Sequence, residues 1–211
     1  MPAKKVVSPK ANSPKKQVKQ STKSLANSEP VVLDVVIEIS KGSNIKYEYD
    51  RKSGNITVDR ILYGPSVYPQ NYGFIPEALD WDGDELDVLV FADQTFPPGV
   101  HVPTRIVGAL EMVDNGETDT KLIGVIDCDP RWKEVQNLND LAPHELDVIK
   151  DFFETYKRLQ KKNVLVNKLQ DREWAIKDYE ACVDLMTKYK NLSKEEFIAK
   201  MKKLHPDKYI G

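Results

Sequence analysis

The sequence predicts an α+β fold, mainly β, with strands first and helices packed on them afterwards. Three observations predict it. From Val31 to Ile126, apolar and alternating runs of strand length follow one another, divided by turn residues. From Pro143 onward, apolar residues recur at helical spacing. The chain has 211 residues, 40% of them hydrophobic and 30% charged, which suits one domain of ordinary size with a core of its own.

Residues 1–30 are Lys, Ser, Pro and Asn with few large apolar groups, so disorder is expected there. This stretch has no Arg, unlike a mitochondrial presequence, and no apolar centre, unlike a secretory signal. A solvated tail is expected rather than a targeting or nucleic-acid arm. The net charge of −2 hides a division. Removing the seven lysines and the one acid, Glu29, of residues 1–30 from 31 basic and 33 acidic residues leaves 24 and 32, a balance of −8. An acidic body argues against nucleic acid as the main partner, though metal ions could let it attract an anion. No run of about 18 apolar residues is present, so no membrane span is expected. Cys128 and Cys182 lack CxxC spacing and read as reduced thiols of a cytoplasmic protein.

Val31 to Ile39 is a near-continuous apolar strand with Glu38 as the odd charge inside it. Asn44 to Tyr49 alternates, which sets Lys46 and Glu48 on one face; alone, that is a surface pair. After the turn at Ser53-Gly54-Asn55, Ile56 to Tyr63 is the next strand, with Arg60 on the side of Ile56, Val58 and Leu62. A guanidinium on an apolar face seeks a phosphate or a structural carboxylate, and spacing does not choose between them. Residues 68–76 form a rigid aromatic loop. Tyr68 reads as a barrel plug, whereas the Tyr72 hydroxyl could also address a phosphate.

Leu79 to Val90 reads L-D-W-D-G-D-E-L-D-V-L-V, with Asp80, Asp82, Asp84, Glu85 and Asp87 within eight residues. Five crowded acids repel one another, and hard oxygen ligands suit Mg²⁺, Mn²⁺ or Ca²⁺. An acidic surface turn is the plainer alternative. An EF-hand fails on spacing, because Gly83 stands fourth from Asp80 instead of sixth. In a strand over 86–91, Asp87 shares a face with Leu89 and Phe91, where an unpartnered carboxylate is costly. A metal site is therefore expected.

Val100 to Val113 is a long strand and Leu122 to Ile126 its partner, with a turn at Asn115-Gly116. With a loop over 115–118, Asp114 and Asp119 would face each other across the hairpin, Lys121 lying on the Asp119 side. Two facing acids invite a cation. Beyond this the chain reads as helical: Pro143 opens a helix with a stripe of Leu146, Ile149, Phe152, Phe153, Tyr156 and Leu159. By spacing alone Tyr156 is core packing and Lys157 a solvated lysine. A second helix covers Glu173 to Lys190, and Ser193-x-x-Glu196 caps a short last helix to Leu204. The histidines are scattered, and no Gly-rich phosphate loop or Ser or Cys nucleophile motif is found.

Taken together, these residues resemble the soluble family I inorganic pyrophosphatases. The resemblance rests on D-G-D-x-x-D at Asp82, Asp84 and Asp87, K-Y-E at 46–48, V-D-R at 58–60, Y-P-x-N-Y-G at 68–73, D-x-x-x-x-D-x-K at 114–121 and F-x-x-Y-K at 153–157. It implies a five-stranded OB-like β-barrel with packed C-terminal helices, and Mg²⁺-dependent hydrolysis of pyrophosphate to two phosphates. It implies a catalytic domain over 31–190, between the 1–30 tail and a short helical extension over 191–211. By the same resemblance, Asp82, Asp87 and Asp119 hold the first metal, and Asp87 helps hold a second, which carries the attacking water. Asp114 and Asp119 hold metals arriving with substrate, and Glu38 and Glu48 act through water. Asp84 matches the general base. Lys46, Arg60, Tyr72, Lys121, Tyr156 and Lys157 match the groups that grip phosphate. Mn²⁺ or Zn²⁺ are the implied substitutes and Ca²⁺ an inhibitor. Family members range from monomers to hexamers, which leaves a homo-oligomer open. Two other classes stay in view: an OB-fold module for single-stranded nucleic acid, and a Ca²⁺-binding structural protein.

Overall fold

The computed structural model describes residues 29–162 and 164–210, so nearly all of the tail lies outside the described residues. The first strand, β1 (Val32–Ile39), is followed by a hairpin of β2 (Ile45–Asp50) and β3 (Asn55–Ile61). Next come β4 (Asn71–Leu79), β5 (Glu85–Phe91), β6 (His101–Asp114), β7 (Glu117–Thr118) and β8 (Lys121–Ile126). The rest of the chain is α1 (Pro143–Thr155), β9 (Val164–Asp171), α2 (Arg172–Tyr189) and α3 (Lys194–Leu204).

Five strands in the order β1-β4-β5-β8-β6 close into an OB-like barrel, because β1 also pairs with β6. The β5–β8 pair is parallel and places Asp87 beside Lys121. The length of β6 has a use. Residues 101–105 pair with β1, while residues 108–114 pair with β9.

The barrel wall is buried on both sides, as alternation along β5 shows. Leu89 and Phe91 join a core with Tyr68, Tyr72 and the α1 residues Ile149, Phe152 and Phe153. Leu86, Val88 and Val90 join another with Ile37, Ile75 and the α2 residues Ala175 and Cys182. A third, smaller core seats α3: Phe197 and Met201 pack on Leu79, Trp81, Leu185 and Met186. Among the described residues, no helix is long and apolar enough to cross a membrane.

Five expectations need correction. Residues 71–76 are not part of an aromatic loop, since they belong to β4 and pair with β1 and β5. The segment before α2 is not helical throughout, since β9 extends the sheet there. The α1 stripe does not reach Leu159, which is 61% exposed because the helix ends at Thr155. The face carrying Arg60 is not apolar and covered, since β2 and β3 form a separate two-stranded ribbon and Val58 is exposed. Finally, the β6–β7 loop is only Asn115-Gly116, both at positive φ (51° and 86°), as a tight two-residue hairpin requires. Asp114 therefore pairs with Glu117, and Asp119 does not face it across the ladder.

Candidate active site

The acidic loop between β4 and β5 is shaped by its own aspartates. Asp80 is buried and caps the loop: one carboxylate oxygen accepts from the Trp81 amide at 2.7 Å, the other from the Thr120 amide at 3.0 Å. Its backbone amide donates to the Asp84 carbonyl at 2.8 Å, and Asp82 accepts from the Asp84 amide at 3.0 Å. Gly83, at φ 88°, makes the reversal. Asp80 thus ties the loop bearing Asp82 and Asp84 to the segment bearing Asp119 and Lys121.

A cavity of about 270 Å³ opens beside this loop. It is lined by Asp82, Asp84, Asp87, Asp114, Asp119, Glu48, Lys46, Arg60, Tyr72, Lys121, Tyr156 and Lys157. Glu38 stands in an adjoining crevice with Lys46, Glu48, Asp84 and Asp87. The structure therefore gathers every residue singled out for the site, from seven separate stretches of chain.

Inside the cavity, acids and bases are interleaved. Lys121 pairs with both Asp87 and Asp119, and Lys157 pairs with Asp114. On the ribbon, Lys46 pairs with Glu48, and Arg60 with Asp59. Lys157 is buried, so the expectation of a solvated lysine is overturned. The cation beside Asp87 on its apolar face is Lys121. Glu85 neither faces water nor lines this cavity; it is buried and accepts from Arg51 at 2.5 Å.

The electrostatics follow from that crowding. Burial, then repulsion from Asp119 and Asp84, holds the Asp82 carboxyl well above its usual range. Burial, then Asp87, pushes Glu38 up to about 8. Burial opposes the Lys121 charge, but Asp119 and Asp87 outweigh it and hold the ammonium well above its ordinary value. Burial pulls Lys157 down, with Asp114 opposing.

The donor set fits a hard divalent cation: every acid at the cavity offers carboxylate oxygen, and one Asp114 oxygen is buried without a partner. Among the described residues no three such side chains are gathered into a ready-made cage. Lysines stand between them instead.

Five cavity residues were not singled out for the site: Lys194 on α3, Lys162 after α1, Glu117 on β7, Tyr68, which was read as a plug, and Asn115, which was read only as a turn residue. The Lys194 ammonium lies 2.5 Å from the Asp84 carboxylate, 110 residues away in sequence. Its only local signal is the Ser193–Glu196 capping box, which the structure shows with both hydrogen bonds made.

Residues 35–187 match the family model described as inorganic pyrophosphatase. The chain belongs to that family. Its inorganic pyrophosphatase relative in Mycoplasma pneumoniae is 65% identical over 178 residues, covering 84% of this chain and 97% of the relative. Soluble inorganic pyrophosphatase 5 of Arabidopsis thaliana is 47% identical over 160 residues, covering 76% and 74%. Among solved structures, the Thermus thermophilus inorganic pyrophosphatase superposes with a TM-score of 0.72 at 41% identity, covering 78% of this chain and 96% of that one. The pyrophosphatase family model stops seven residues before Lys194.

Proposed function

We propose that this protein hydrolyses inorganic pyrophosphate to two phosphates in a reaction that requires Mg²⁺, with Asp84 as the general base. Family membership makes it a hydrolase of the inorganic diphosphatase class with a divalent-metal requirement. The observation that carries the finer reading is the interleaving of acids and bases in one cavity: Lys121 with Asp87 and Asp119, Lys157 with Asp114. Each lysine occupies a carboxylate that a cation could take, and each is then freed for an anion.

Asp82, Asp87 and Asp119 would hold the first Mg²⁺, Asp87 would share a second, and Asp114 and Asp119 would receive metal arriving with substrate. Glu38 and Glu48 support that set through water, and Mn²⁺ or Zn²⁺ are the expected substitutes, with Ca²⁺ inhibitory. Bound there, the metal neutralises phosphoryl oxygens and lowers the pKa of water. The protein's own part is positioning. Lys46, Arg60, Tyr72, Lys121, Tyr156 and Lys157 bind the two phosphates and offset charge building on the leaving one. Water adds to one phosphorus, the bridging P–O bond breaks, and Asp84 takes the water's proton. The half-exposed Asp84 side chain lies at the cavity mouth, where water can reach it.

The cavity's polar lining and small volume suit a compact anion. Tyr68 and Tyr72 are only 1% and 5% exposed, so they offer no open face on which a nucleobase could stack, which weighs against single-strand binding. The unpaired Cys128 and Cys182 agree with a cytoplasmic location.

Phosphate release by Asp84→Asn tests the assignment. The variant keeps its fold and loses about 100- to 10,000-fold in kcat, as loss of a general base does. Release at the wild-type rate would remove Asp84 from that role.

A further inference from the structure

The ion pair between Lys194 and Asp84 is not explained by the chemistry above. It comes from α3, outside the stretch that matches the family model. Helix α3 is nonetheless built against the acidic loop. Its start is fixed by the Ser193–Glu196 box, and Phe197 and Met201 are buried at 2% and 0% exposure. A Cβ at Gly83 would meet the Lys194 Cγ at 3.0 Å and the Phe197 ring at 3.4 Å. The base of the Lys194 side chain is therefore seated on the loop, while its four-carbon stem leaves the ammonium free to turn about that point. Lys194 also lines the cavity itself.

An anion that enters the cavity comes within reach of the Lys194 ammonium, which can turn to it from the carboxylate. Lys121 and Lys157 are arranged in the same way, resting on Asp87, Asp119 and Asp114 at the same cavity. We infer that Lys194 is a further substrate-binding residue, whose ammonium turns from Asp84 to hold a phosphoryl oxygen of pyrophosphate at that side of the cavity. This rests on the pyrophosphatase reading and on Asp84 as base.

The test is steady-state hydrolysis of pyrophosphate at saturating Mg²⁺ by the full chain, Lys194→Ala and Lys194→Arg. Loss of a charge-assisted contact made equally in ground and transition states raises KM about tenfold and leaves kcat little changed. Lys194→Arg restores most of the KM. Tryptophan fluorescence, to which Trp81 beneath α3 contributes, stays at the wild-type signal in both variants. An unchanged KM in Lys194→Ala would overturn the inference while leaving the pyrophosphatase reading intact. So would a fall in kcat alone, which would mean that Lys194 acts only through Asp84. A wild-type chain that releases no phosphate would overturn both.

Discussion

Glu38 shows what a single residue costs and what the cost is for. It sits at the end of β1, buried, with Asp87 nearby, and its carboxyl is raised from 4.5 to about 8. A carboxyl raised in the folded state favours folding while protonated. That contribution is fully present below about pH 4.5 and is lost as pH rises toward 8. In EDTA, Glu38→Gln should therefore melt at a temperature that gains on the wild type as pH goes from 5 to 9. Equal pH dependence of the two melting curves would show that Glu38 is not charged at such a cost. Which residues meet at the candidate cavity was legible, Glu38 apart, because six short blocks each carry their own spacing, such as Asp82, Asp84 and Asp87. Lys194 and the Arg51–Glu85 pair were not. They join stretches 110 and 34 residues apart, and no local pattern encodes such a contact.

At the scale of elements, the β6–β7 hairpin sets the distance between two halves of the site. Asn115 and Gly116 place Asp114 at the end of one strand and Asp119 just beyond the other. Gly116→Ala forces an L side chain into φ 86°, at a cost of about 1–2 kcal/mol in urea unfolding. The same variant should need more Mg²⁺ for half-maximal activity, since Asp114 and Asp119 flank the turn. Unchanged stability and Mg²⁺ response would show that the turn has no such role. The sequence signalled the turn but not its length, because Asn-Gly fits a two-residue or a longer loop. It also hid β9. That strand is half exposed and pairs only with the far part of β6, so it lacks the buried apolar run that announces β1 or β5.

At the scale of the molecule, one barrel wall is packed from both sides, and α1, α2 and α3 fix the loops that meet at the cavity. The order of strands before helices was legible from periodicity, whereas barrel closure depends on β1 returning to β6 and came only from the resemblance. The result is one cavity in which lysines and carboxylates alternate. That this cavity hydrolyses pyrophosphate in a Mg²⁺-dependent reaction is the central proposal. The most direct measurement is the initial rate of phosphate release from pyrophosphate by the wild-type chain, as Mg²⁺ is raised from an EDTA blank to saturation. The account predicts background release in EDTA and a saturable rise with Mg²⁺. Turnover indifferent to EDTA, or none at any Mg²⁺ concentration, would contradict it.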